Sequence, residues 1–197
     1  MKTNLSLARW CAYLGIVGIG IGVLVGVLGL IYPTQIYGAP PDTYLYITPV
    51  AKSVALLNGI MMLCFTAAFL GYSYTGAVGH GLLGISATWL SLLGNLGTTL
   101  SFFHAAQTGA QSPLFNLGFL LLPGWILLTV AALRTRQAST LQAWWPVVIL
   151  IALMAIELGV GANGLSVIVH DALYGSIAFI TLAILSKQPT QQAAALA

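Results

Sequence analysis

Charged side chains are almost absent from this chain: Asp, Glu, Lys and Arg make up 5% of its 197 residues, while 59% are apolar. A soluble domain carries about 25% charged residues, so there are too few here to cover a water-facing surface. A mean hydropathy of +0.97 also excludes disorder, which requires low hydrophobicity. The expected fold is all-α, an integral membrane bundle. A spanning helix needs about 20 mostly apolar residues, and six segments approach or meet that length, at about 10–32, 51–72, 79–103, 114–133, 144–162 and 165–186. The expectation is a single membrane domain over 1–197 with six transmembrane helices, an outer lip at 33–50 and a frayed tail at 188–197.

The first apolar run, Trp10 to Tyr32, has 23 residues and no A-x-A motif after it. A secretory signal core has roughly 7–15, so the run is read as an uncleaved span. Cytoplasmic loops retain Lys and Arg. With the N-terminus and the C-terminus cytoplasmic, Lys2, Arg9, Arg134, Arg136 and Lys187 all lie inside, and Lys52 alone lies outside. The outer lip holds Pro33, Pro40, Pro41 and Pro49 with Tyr37, Tyr44 and Tyr46. Proline lacks a backbone donor, so the segment is expected to be irregular. Cys11 and Cys64 lie within apolar stretches and read as small buried hydrophobes. The net charge of +3 is not gathered into a basic run or stripe, so nucleic acid is not an expected partner.

Polar and small residues fall in two stripes. Gly15, Gly18, Gly22, Gly26 and Gly29 recur every three or four residues on one face of the first span. Such faces let helices approach closely in lipid, and the expected role of the five glycines is helix packing. In the third span His80, Gly84, Thr88, Ser91, Asn95 and Thr98 form a second line, which must point into the bundle because lipid cannot satisfy its hydrogen bonds. This line is read either as interhelical hydrogen bonding or as a polar path centred on Asn95.

Ionisable groups within spans are costly and suggest function. Glu157 lies near the outer end of the fifth span and Asp171 about six residues into the sixth, so both are expected ~8 Å below the outer boundary at ~1.5 Å per residue. Lys52, His104 and His170 are expected at the same level. Neighbours on a helix point about 100° apart, so one of His170 and Asp171 should face a partner helix and the other a cavity. Three readings follow: a buried ion pair of Lys52 with Asp171 or Glu157, a proton or cation site, or a haem held by His104 and His170. No zinc motif is present, since zinc takes three or four ligands and neither HExxH nor helically paired His occurs. The sequence also lacks G-x-S-x-G and a phosphate-binding glycine loop after a strand.

Leu7-Ala8-Arg9 near the start, a long loop after the first span, and Pro123-Gly124-Trp125 leading to Leu133-Arg134-Thr135-Arg136 make the chain similar to small six-span bacterial inner-membrane proteins of uncharacterised function. The resemblance implies a bacterial inner membrane and assigns no site residues. With no reaction motif, the expected function is a non-catalytic accessory or ligand-binding subunit, packing against partner helices, a second copy, lipid or pigment. The alternatives are a proton- or cation-coupled transporter or channel using Glu157 and Asp171, and a b-type haem protein using His104 and His170. No cofactor is otherwise assigned.

Overall fold

The structure, a computed structural model, describes residues 4–36, 46, 48–159 and 164–195. The chain is all-α, with no strand among the described residues. Its helices are α1 (Leu5–Ile31), α2 (Pro33–Ile36), α3 (Pro49–Tyr74), α4 (Leu82–Thr108), α5 (Leu121–Thr135), α6 (Thr140–Gly159), α7 (Gly164–Gly175) and α8 (Ile177–Ala195). A 3-10 segment, Pro113–Leu120, leads directly into α5. Local sequence sets several ends. Asn4 caps α1 by accepting from the Leu7 N–H at 3.0 Å. Thr48 caps α3 ahead of Pro49, whose missing donor costs nothing in a first turn. Gly109 closes α4 at φ +81°, a left-handed conformation that favours glycine.

Among the described residues, four helical rods are long and apolar enough to cross a membrane: Leu5–Ile31, Pro49–Tyr74, Pro113–Thr135 and Gly164–Lys187. This is the architecture of an integral membrane protein. Thr140–Ile156 is apolar but shorter among the described residues. At 27 residues α4 matches α1 in length, but Thr88, Ser91, Asn95, Thr98, Thr99 and Ser101 dilute its hydropathy. It also starts later than expected. His80 lies in the turn before it and is exposed, so the polar line on α4 begins at Gly84. The last rod is broken at Ser176, where the Ser176 N–H donates to Leu173 O at 3.1 Å. Residues 37–45 and 47 of the expected lip lie outside the described residues.

The rods pack in chain order and close on themselves, because α1 meets α3 on one side and α7 with α8 on the other. The register of α1 against the last rod is antiparallel: a Cβ at Gly26 would meet Ile168, one at Gly22 would meet Asp171, and one at Gly15 would meet Ala178. The Asn4 N–H donates to Tyr74 O, and the Thr135 hydroxyl to Ala77 O, so the ends holding Arg9 and Arg134 lie together. From Ala178, Lys187 is nine residues, ~14 Å, further toward that same end. Lys52 lies at the other end, its stem beside Gly109.

Candidate functional site

The middle of the bundle is built around Tyr174. Its hydroxyl donates to Asn95 Oδ1, and Asn95 Nδ2 donates to Ser91 O at 3.0 Å. Asn95 is fully buried, so this pairing removes the cost of an amide shut away from water. The Tyr174 ring is stacked on Phe65 at 5.1 Å and meets Trp125 edge-on at 5.0 Å, while Phe69 lies flat against Trp125 at 4.8 Å. Asn95 is the midpoint of α4, and Phe65 packs at Gly18, the midpoint of α1, so the cluster occupies the centre of the molecule.

One turn above Tyr174 lie His170 and Asp171. Gly22 on α1 makes the space for the acid, since a Cβ there would fall 2.5 Å from Asp171 Cβ and 2.8 Å from Oδ2. Asp171 is 3% exposed, with Oδ1 3.0 Å from His170 Nδ1 and Oδ2 buried without a hydrogen-bond partner. The His170 side chain is 31% exposed and lies over Tyr174, with centroids 6.1 Å apart. The helical offset between neighbours therefore points Asp171 at α1 and leaves His170 at an open space. That space is a cavity of about 430 Å³, lined on α7 by Ser166, Val167, His170, Asp171 and Tyr174. Met61, Met62, Phe102, Phe115 and Phe119 give it mostly apolar walls, and Asn58 and Thr98 add polar points.

The 3-10 segment forms one wall because its side chains repeat every three residues. The Leu117 side chain and the Leu114 carbonyl press on Gly97 of α4. Phe115, Gly118 and Leu121 fall on one line, and all three face the cavity. This segment packs on α4 and α5 but not closely on α6 or α7, and Phe119 at the resulting gap is 79% exposed. Among the described residues, the cavity is therefore open between the 3-10 segment and the α6–α7 pair.

The residues expected at one level divide. His170 and Asp171 line the cavity, and Asn95 joins them through Tyr174. Lys52 is 13 residues before Phe65 on α3, and Asp171, at Gly22, lies only about one turn from the level of Phe65 toward that end, so Lys52 is ~14 Å beyond Asp171 along the bundle and too far to pair with it. Asp171 is instead hydrogen-bonded to its neighbour His170. His104 lies nine residues beyond Asn95, is exposed and does not line the cavity, so it does not meet His170 across it. No group of three or more His, Cys, Asp or Glu residues suited to a metal ion occurs among the described residues. Glu157 is on α6, and its side chain lies outside the described residues.

The glycine face of α1 is filled from within the chain. Gly15 meets Ala68 and Ala178, Gly18 meets Cys64 and Phe65, and Gly26 meets Ile168 and Gly164. Gly29 is buried with them. On α4, the hydroxyls of Thr88, Ser91 and Thr98 each donate to the carbonyl four residues earlier. Thr88 also bonds Ser73 on α3 at 2.9 Å. The residue that sequence reasoning missed is Tyr174. Its signal was its spacing, four after His170 and three after Asp171, which places all three on adjoining faces of one helix.

No family model, no curated protein and no solved structure matches this chain.

Proposed function

We propose that this chain is a non-catalytic integral membrane protein that binds a lipid-soluble ligand within its bundle. The observation that carries the reading is the lateral cavity of about 430 Å³, with apolar walls and a polar inner end. Ligand pockets run to about 300–1,000 Å³, with apolar linings and a few placed polar groups. The opening between the 3-10 segment and α6–α7 favours entry from the acyl-chain region over entry from water. The rest of the proposal is topological: six crossings, both termini cytoplasmic, in a bacterial inner membrane. The gathering of Arg9, Arg134 and Lys187 at one end supports that orientation. Since the glycine stripe is occupied by the chain's own helices, it leaves no seat for a partner helix, and a ligand in the lateral cavity is favoured instead.

The test is purification in mild detergent, followed by mass spectrometry of what stays bound. Wild-type protein should retain a defined lipid-soluble molecule, and the cavity-filling Gly118→Leu and Ile156→Trp should lose it while remaining monodisperse. Equal retention by all three proteins would remove the proposal.

Cation or proton carriage through Asp171 is the second reading, favoured by the unpartnered Oδ2. It requires Asp171 to swing away from Gly22 before any ion reaches that oxygen. Proton flux in liposomes that survives Asp171→Asn would exclude it.

A further inference from the structure

The polar end of the cavity has a directional chemistry that bears on what the ligand carries there. Resting on the ligand-binding reading, we propose that the His170 imidazole recognises a hydroxyl group, so that the ligand is a long-chain or isoprenoid alcohol or phenol seated head-inward. The argument starts from Asp171. Its Oδ1 faces His170 Nδ1 at 3.0 Å; with Asp171 ionised that oxygen accepts and Nδ1 carries the proton, the state on which the proposal rests. In a neutral imidazole Nε2 is then an acceptor. His170 makes no other hydrogen bond among the described residues, and its side chain lines the cavity. Stacking on Tyr174 fixes the plane of the ring. The acceptor is thereby held in place before any ligand arrives.

Competing head groups fit less well. An ammonium needs a carboxylate within reach, but Asp171 Oδ1 is occupied and Oδ2 is buried. A second carboxylate would have to sit beside Asp171. A hydroxyl needs one acceptor for its proton, and Nε2 supplies it. The rest of such a molecule would lie along Met62, Phe102, Phe115 and Phe119, toward the gap through which it entered. Asp171 acts through His170 as a positioning residue, and Gly22 makes the room for it.

The experiment uses the full chain in nanodiscs, titrated with dodecanol, dodecyl methyl ether and dodecylamine, with tryptophan fluorescence as readout. Dodecanol should bind about tenfold more tightly than the ether, the scale of one net hydrogen bond. His170→Phe should equalise the two, and Asp171→Asn should narrow the preference. Nitrogen NMR of labelled histidine should show His170 with Nε2 unprotonated, its resonance moving with dodecanol and not with the ether. The wild-type preference and spectrum need no variant, so a variant that fails to fold leaves the test intact. Equal alcohol and ether binding that Ile156→Trp abolishes would overturn hydroxyl recognition and spare the cavity reading. Preference for the amine would overturn it in favour of the carboxylate. If no probe binds and Ile156→Trp changes nothing, both readings fall.

Discussion

The two sides of α7 are built on opposite principles. Toward α1, glycines meet side chains with nothing to spare: a Cβ at Gly26 would come within 2.7 Å of the Gly164 carbonyl, and a Cβ at Gly22 would press on Asp171. Away from α1, the same helix faces a cavity of about 430 Å³ walled by aromatic and methionine side chains. In lipid the hydrophobic effect does not drive helices together, so close van der Waals contact supplies much of the adhesion. The tight side holds the bundle together. The open side gives up such contacts, and the difference teaches that bulky side chains on a 3-10 wall can hold helices apart as effectively as glycine lets them approach.

The comparison breaks most severely if the tight side is overfilled. Gly26→Leu should destabilise the bundle by about 3 kcal/mol or more, since backbone as well as side chain stands in the way; thermal unfolding followed by size exclusion reads this. Gly20 has nothing within 4 Å of a built Cβ, so Gly20→Ala should leave stability unchanged or raise it by up to ~1 kcal/mol through helix propensity. A loss comparable to that of Gly26→Leu would show that the stripe is not what holds α1.

At the centre, where the two sides meet, Asn95→Leu should cost about 1–3 kcal/mol because the Tyr174 hydroxyl is left buried without its acceptor. A double-mutant cycle with Tyr174→Phe should recover a coupling of about 0.6–1.7 kcal/mol. Additive losses would mean that the two side chains do not share a bond. On α5 the Thr129 hydroxyl is buried with no partner. Thr129→Val removes that orphan and should stabilise the protein by about 1 kcal/mol, so destabilisation would reveal a bound water in its place. The open side should respond mildly: Gly118→Leu, whose Cβ meets only Thr98 Oγ1, at 3.1 Å, should shift the melting temperature far less than Gly26→Leu while emptying the cavity of ligand. A large shift would mean that this wall is as closely packed as the α1 face.

Part of the site was legible in advance. His170 and Asp171 stood out because ionisable groups are rare in apolar helices, and Asn95 because it interrupts one. Lys52 and His104 were grouped with His170 and Asp171 through depth counted from helix ends, yet His170 and Asp171 stand about one turn from the central cluster while α3 and α4 carry Lys52 and His104 ~20 Å and ~14 Å from it along their axes. Counting along a helix fixes depth only when the ends are known to within a turn. Tyr174, Phe102 and the 3-10 wall carried no charge to mark them.

Composition alone decided that the chain is helical and belongs in a bilayer, since so few charges leave no soluble surface and lipid leaves the backbone no partners but its own. The glycine spacing likewise decided that α1 would be closely approached, because small side chains at three- and four-residue steps share one helix face. Which helices fill that face, which way His170 turns, and that a 3-10 wall leaves an open volume beside it were decided only by tertiary packing. These depend on contacts between residues as far apart as Gly22 and Asp171, and helical periodicity carries no information about distance across the bundle.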